Sequence, residues 1–252
     1  MTITFLGTGT SHGVPTLRCR CPVCTSPDPR NKRTRASLWI RHRGLSILID
    51  TATDFRTQAL RENIDEVDLI LQTHAHADHT HGLDDIRIYS RNKTIPLAGF
   101  GSTLQEMKER FSYIFKDTQR GGGKPKIQLV EVFPGEPAVL EGFAFTPLPI
   151  RHGDLTIAGY RWENCAYLTD CSGIPESTYP LLEGLDLLVL DALRYEPHPT
   201  HFSLDEALEV VKRTGARQTY LTHMAHNFDH STLSDQLPPT IQPAWDGLTL
   251  ET

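Results

Sequence analysis

A short apolar run, Val67-Asp68-Leu69-Ile70-Leu71-Gln72-Thr73, leads directly into His74-Ala75-His76-Ala77-Asp78-His79. No other feature of the chain limits its folding as strongly. The run predicts a strand that buries its apolar side chains, and four potential metal ligands then fall within six positions. Left unpaired in an apolar interior, each would cost about 1–3 kcal/mol. The fold must therefore deliver them at a strand end and give them a charged partner. In extended backbone His74, His76 and Asp78 share one face, and a turn can swing Asp78 and His79 toward a second cation beside the first. Imidazole and carboxylate together suit zinc, manganese or iron, so the motif alone does not choose the metal.

Two cations need more ligands than one loop supplies. Later apolar runs end in the same residue types: His152 after Leu148-Pro149-Ile150, Asp170 after Tyr167-Leu168-Thr169, and His223 after Tyr220-Leu221-Thr222. Alone, each reads as a surface or structural residue. Together they form a pattern.

The rest of the chain predicts a layered α/β protein. Ile3 to Leu6 reads as a strand, and Ala36 to His42 with Leu45 to Asp50 as a hairpin turning at Arg43-Gly44. Leu104, Met107, Phe111 and Phe115 recur at helical spacing and predict a helix between Thr103 and Lys116. Asp117 to Pro125, with Gly121, Gly122 and Gly123, predicts an exposed loop that could serve as a substrate lid. Further strands are expected at Phe143 to Pro147, Thr156 to Trp162, Ala166 to Asp170, Leu187 to Asp191 and Thr219 to Thr222. Ser203 with Glu206 signs a helix start, Leu204, Ala207, Leu208 and Val211 its apolar stripe, and Gly215 its end. The length, 252 residues, fits one domain spanning 1–252.

Composition narrows the function classes. With 38% hydrophobic and 22% charged residues the chain is neither disordered nor fibrous. A net charge of −6 argues against a general nucleic-acid surface, leaving nucleic acid only as a nucleotide or oligonucleotide substrate. No signal peptide or apolar span is legible, so a cytoplasmic protein without membrane partners is expected, with a homodimer as a possible assembly. Cys19, Cys21 and Cys24 crowd into one segment, Cys165 and Cys171 lie far away, and the count is odd. That pattern suits metal binding in a reducing compartment better than a disulfide framework.

His-x-His-x-Asp-His followed by a distant His, Asp and His resembles the metallo-β-lactamase superfamily over nearly the whole chain. The resemblance implies a four-layer αβ/βα sandwich and a binuclear hydrolase centre. It places His74, His76 and His152 on one metal, Asp78, His79 and His223 on the other, and Asp170 between them, with Gly82 as the glycine that follows the motif. Cys19-x-Cys21-x-x-Cys24 supplies three thiolates toward a tetrahedral structural zinc, and His226 is the candidate fourth ligand. Together with Gly7-Thr8-Gly9-Thr10, Gly13-Val14-Pro15 and Thr222-His223-Met224-Ala225-His226, this cluster resembles the PhnP-type branch, which includes a phosphodiesterase that opens a cyclic phosphate. In that branch the three cysteines and the second histidine form the structural zinc site.

The activity expected from this set is hydrolysis of a small phosphodiester, cyclic ones included. Two cations lower the pKa of a shared water, and the resulting hydroxide attacks. Asp78 or His201 would protonate the leaving alkoxide. His201 precedes the capped helix, where imidazole and helix N-terminus together could meet a phosphate, and the resembled phosphodiesterases have an assisting histidine there. His12 reads as a turn residue, and His42, His81, His198 and His230 as structural or surface. Thioesters, lactones and tRNA 3′ ends are the alternative substrates of the superfamily. A noncatalytic metal-binding protein is the alternative of a different class.

Overall fold

The computed structural model describes residues 1–116 and 123–252. The glycine-rich segment from Asp117 to Gly122, where a lid was expected, lies outside the described residues. Strands β1 (Thr2–Gly7), β2 (Ser37–His42), β3 (Leu45–Ile49), β4 (Leu69–Leu71), β5 (Ile95–Gly99) and β6 (Ile127–Glu131) occupy the first half. Strands β7 (Ala138–Leu140), β8 (Phe143–His152), β9 (Leu155–Trp162), β10 (Cys165–Leu168), β11 (Leu187–Asp191), β12 (Gln218–Thr222) and β13 (Ile241–Pro243) follow, and β14 (Thr249–Glu251) returns to pair with β1. The strands form two seven-stranded sheets, ordered β14-β1-β2-β3-β4-β5-β6 and β13-β12-β11-β10-β9-β8-β7.

Period-two alternation explains why the sheets stack. Leu38, Ile40, Ile47, Ile49, Leu69 and Leu71 face Phe143, Phe145, Tyr160, Trp162, Leu187 and Val189 in one cluster between the sheets. The residues between them point the other way. Trp39, Leu48 and Ile70 meet Phe55 of helix α2 (Phe55–Glu62) and Leu104 and Met107 of α4 (Gly101–Arg110). Leu188 and Leu190 meet Ala207 and Val211 of α6 (Leu204–Thr214) and Leu233 of α7 (His230–Gln236). Strands apolar on both faces must be covered on both, and the result is the four-layer αβ/βα sandwich expected from the sequence. Three single-turn helices complete the set: α1 (Pro22–Thr25), α3 (Ala77–Thr80) and α5 (Ser112–Phe115). None of the described helices is long and apolar enough to cross a membrane.

Local signals placed several elements well. Arg43 and Gly44 both have positive φ, 50° and 85°, the geometry a two-residue hairpin turn requires. Ser203 and Glu206 form a reciprocal capping box, and Gly215 ends α6 in the left-handed conformation. Two elements differ from expectation. The helix expected between Thr103 and Lys116 begins at Gly101 and breaks at Phe111, whose ψ of 36° leaves the helical range. Strand β8 runs on to His152 instead of stopping at Pro147. Between Phe145 and the bridge of Arg151 to Gly173 it pairs with β9 and no other strand, so Pro147 and Pro149 are tolerated on the side that lacks a strand.

Parallel pairing then positions the chemistry. Strands β3 to β6 are mutually parallel, as are β10 to β13. Chain leaving β3, β4, β10, β11 and β12 at their C-terminal ends carries Asp50, His74, Asp170, Asp191 and His223. The carboxyl ends of parallel strands are where such sheets build sites.

Candidate metal centre

The ligand atoms of His74, His76, His152 and Asp170 lie within 4.8 Å of one another, and so do those of Asp78, His79, Asp170 and His223. Asp170 belongs to both groups. All seven residues proposed from the sequence for a catalytic pair therefore meet in one place, partitioned as the resemblance implies. His79 Nε2 stands 3.0 Å from Asp170 Oδ1 and 3.3 Å from Asp78 Oδ2. His223 Nε2 stands 3.3 Å and 3.7 Å from the same two oxygens, and His74 Nε2 is 3.7 Å from Asp170 Oδ2. Ligands about 2.0–2.2 Å from a tetrahedral ion are about 3.3–3.6 Å apart. The spacing fits a pair of cations.

Hydrogen bonding supplies an independent test of fit. Nε2 of His74, His79 and His223 are buried and have no hydrogen-bond partner. The opposite ring nitrogens explain why two of them point inward as lone pairs. His79 Nδ1 donates to Asp50 Oδ2 at 2.7 Å, and a carboxylate can only accept. Thr73 Oγ1 donates its single proton to Asp50 at 2.8 Å and so accepts from His74 Nδ1 at 3.0 Å. His152 Nδ1 donates to the Thr200 carbonyl at 2.9 Å. Each of these three rings has its tautomer set from outside and its Nε2 free to bind a metal.

The electrostatics agree. Burial opposes protonation of His79, but the carboxylates of Asp170, Asp78 and Asp50 outweigh it and hold its pKa well above the usual value. Burial likewise works against ionised Asp170, yet His223, His79 and His74 hold its carboxyl well below the usual range. Burial and then the His79 charge push His74 down. The carboxylates thus draw positive charge to the ring nitrogens of this buried network, and a cation would supply that charge in place of a proton. Backbone conformation is committed to it as well: Asp50, Asp170 and His223 adopt left-handed φ values of 65°, 53° and 59°, at about 1–3 kcal/mol each.

Close packing keeps the motif in place. A side chain on Gly82 would put Cβ 2.2 Å from the Ala52 carbonyl and 2.5 Å from Phe55 Cβ, so only glycine lets the chain after the motif pass. Tyr160 donates from its hydroxyl to the Gln72 carbonyl at 2.6 Å, tying the second sheet to the chain just before His74.

A second cluster forms on loops. Sγ of Cys19, Cys21 and Cys24 lie 3.2, 3.4 and 3.5 Å from His226 Nδ1. Cys21 caps α1, and the Cys24 amide donates to its sulfur at 3.4 Å. Burial raises the Cys21 thiol, but that amide, His226 and the neighbouring thiols outweigh it and bring its pKa down to about 6. Cys24 is pushed up to about 11, by burial first. Mutually repelling thiols around one imidazole are the arrangement a zinc ion resolves.

His201 lies beside the catalytic cluster. Its ring stacks on His223 with centroids 4.7 Å apart and sits 4.9 Å from that of His152. His201 Nδ1 donates to Asp191 Oδ2 at 3.0 Å. Burial lowers its pKa, but the Asp191 charge and hydrogen bond dominate and raise it.

The sequence profile of the beta-lactamase superfamily domain matches residues 46–224, from β3 to just beyond His223. The chain belongs to the metallo-β-lactamase superfamily. A crystal structure of a diphosphatase from the PhnP family is 44% identical, covers 99% of this chain and 96% of its own, and superposes with a TM-score of 0.92. An octanoyltransferase of Porphyromonas gingivalis is 38% identical over 247 residues, which are 97% of this chain; the chain spans about half, 50%, of that relative's length. Zinc-bound PqqB of Methylobacterium extorquens shares the fold, with a TM-score of 0.79 at 16% identity and full coverage of both chains. The profile match and this neighbour both give the chain the metallo-β-lactamase fold.

Several supporting residues escaped the sequence reading. Asp50 orients His79 directly and His74 through Thr73, so one buried carboxylate serves both halves of the cluster. Asp191 holds His201 and also accepts from the Cys171 amide at 2.8 Å. Both end apolar strands, as His74 does, and that repeated pattern was the available signal. Arg33, almost fully buried, donates to the carbonyls of Ala225 and Phe228 at 3.1 and 2.8 Å. It pins the loop that carries His226, and nothing near it in sequence announces this.

Proposed function

We propose that the chain is a phosphodiesterase that uses two divalent cations, and that the cysteine cluster holds one structural zinc. The observation that carries the reading is the pair of buried ligand groups sharing Asp170, with three inward imidazole nitrogens lacking any partner. His74, His76 and His152 would hold one cation, Asp78, His79 and His223 the other, and Asp170 both. Nitrogen and oxygen ligands admit manganese, zinc or iron, whereas three thiolates and an imidazole select zinc. Bound cations supply Lewis acidity, activating water and drawing charge from phosphoryl oxygens.

The protein's own groups account for the other requirements. Departure of an alkoxide needs a positioned acid. Asp78 is ill suited to that task, because the charge of His79 and hydrogen bonding from His223 and His79 overcome its burial and hold its carboxyl far below the usual range. His201 is suited to it: Asp191 fixes the ring, raises its pKa and leaves the other nitrogen free to donate. Ser203 and Glu206 lock the start of α6 two residues away, which holds His201 against drift.

The PhnP-family diphosphatase at 44% identity supports phosphoester chemistry. Acyl transfer, suggested by the name of the Porphyromonas relative, draws less support, because the chain spans only 50% of that protein's length. Metal analysis of purified protein, coupled to hydrolysis of bis(p-nitrophenyl) phosphate after loading with manganese or zinc, tests the reading. Turnover that Asp170→Ala abolishes is expected. Absence of turnover with every metal, or preference for a thioester or lactone, would overturn it.

A further inference from the structure

Ala75 joins two ligands of one cation, His74 and His76, and its carbonyl is held from outside the sheets. The carbonyls around it find partners within the sheets or the motif. Tyr160 donates to the Gln72 carbonyl at 2.6 Å, the Ala158 amide to that of Thr73 at 3.0 Å, and Gln72 Nε2 to that of His74 at 2.9 Å. The His76 carbonyl accepts from the His79 amide at 3.1 Å and from Thr80 Oγ1 at 2.9 Å. The Ala75 carbonyl accepts instead from Nη1 of Arg110, the last residue of α4.

Arg110 is set up for that contact. Leu104 and Met107 of α4 pack with Phe111 in the same buried cluster as the Ala75 side chain, so the helix is seated directly on the motif. Glu106, one turn back, accepts from Arg110 Nη2 at 2.8 Å and offsets the guanidinium charge beside a cluster suited to cations. Phe111, where α4 breaks, meets the His81 ring edge-on with centroids 6.0 Å apart. Neighbouring residues at one helix end therefore touch the motif ahead of His76 and behind His79.

His76 is the ligand that needs such a hold. The rings of His74, His79 and His152 have Nδ1 fixed by Thr73, Asp50 and the Thr200 carbonyl. No comparable partner fixes the His76 ring among the described residues; it lies edge-on to His74 and His152, with centroids 4.6 and 5.1 Å away. Its direction is set by its backbone, which Arg110 fastens one residue upstream. We infer that Arg110 is a positioning residue for His76, and through it for the cation that His74, His76 and His152 would share. The inference rests on the two-cation reading of the paired cluster and adds to it a residue of the outer helical layer. Arg110 acts through the Ala75 peptide, not on the reacting atoms.

Manganese(II) titration tests this without any turnover, using protein whose paired cluster has been emptied with a mild chelator and following the paramagnetic resonance signal of the free ion. The wild-type protein should take up two equivalents. Arg110→Ala should weaken one of the two by about tenfold, the lower end for groups that orient ligands, and leave the other within about twofold. Arg110→Lys keeps the charge and a donor but loses the planar fork, so it should recover part of the affinity. Should Arg110→Ala misfold, Arg110→Lys carries the test, with an intermediate loss at the same step. Two equivalents bound with unchanged affinities in the variants would overturn the positioning role and spare the metal pair. Tighter binding in Arg110→Ala would overturn it too, because the guanidinium would then act only as a repelling charge. Fewer than two equivalents in the wild-type protein would bring down the two-cation reading instead.

Discussion

The molecule carries two clusters of metal-type side chains that are built in opposite ways. The His/Asp cluster stands on strand ends of two sheets, its side chains nearly all inaccessible, and its rings are oriented by a further layer of groups: Asp50, Thr73, the Thr200 carbonyl and, beside it, Asp191. The cysteine cluster sits on loops, with Cys19, Cys21 and His226 half-buried, and draws its order from one short helix and from Arg33. A reacting centre must hold its ligands before substrate arrives, and rigid sheets achieve that. A staple has only to join two loops. His223 and His226 lie three residues apart and serve one cluster each, so the second cluster restrains a ligand of the first.

The contrast can be attacked from either end. Removing the shared ligand, Asp170→Ala, should abolish hydrolysis of bis(p-nitrophenyl) phosphate, by on the order of a thousandfold in kcat or more, because both cations lose a partner at several kcal/mol of transition-state stabilisation. Circular dichroism should show the fold retained; residual turnover within tenfold of wild type would mean that the pair does not act as a unit.

Asp50→Asn tests the orienting layer. The amide can no longer accept from both His79 and Thr73 as a carboxylate does, and metal affinity should fall about 10- to 100-fold, measured by competition with a chromophoric chelator. An unchanged affinity would show that the rings need no outside support.

A smaller effect is expected of Asp191→Asn. The raised pKa of His201 carries its acid form to higher pH than an ordinary imidazole's, so kcat/KM should fall as pH rises through that raised value. Losing the Asp191 charge lets burial dominate and moves the alkaline limb to lower pH, with roughly a tenfold loss of kcat at neutral pH. A limb that stays in place would assign the proton to another group.

Least affected in turnover should be Cys21→Ser. Metal content should drop by about one equivalent and Tm by several degrees, while the remaining protein keeps its paired cluster and most of its activity. Intact stoichiometry would remove zinc from the cysteine loop; total loss of activity would show that the staple and the reacting centre cannot be separated.

Much of the fold was legible because its signals are local. The apolar runs Leu38-Trp39-Ile40 and Ile47-Leu48-Ile49 on either side of Arg43-Gly44 announced a hairpin, and Ser203, Glu206 and Gly215 announced a helix with both its ends. The extension of β8 was hidden because prolines usually stop a strand, and only pairing on one side alone makes Pro147 and Pro149 harmless. Asp50 and Asp191 were hidden for a different reason. A carboxylate at the end of a strand acquires a role only from the imidazole that packs against it, and those imidazoles lie 29 and 10 residues away in sequence.

The sequence by itself determined which residue types are present and how densely they are spaced: seven histidines and aspartates of metal-binding type after apolar runs, three cysteines in one loop, and apolar runs that announce strands. Density is a property of neighbours along the chain, and it is written there. The tertiary structure alone decided that Asp170 lies between the two groups, that Asp50 turns two rings inward at once, and that Arg33 fastens the loop of His226. These are directions in space, set by contacts between distant segments, and a one-dimensional pattern carries no record of where a side chain points.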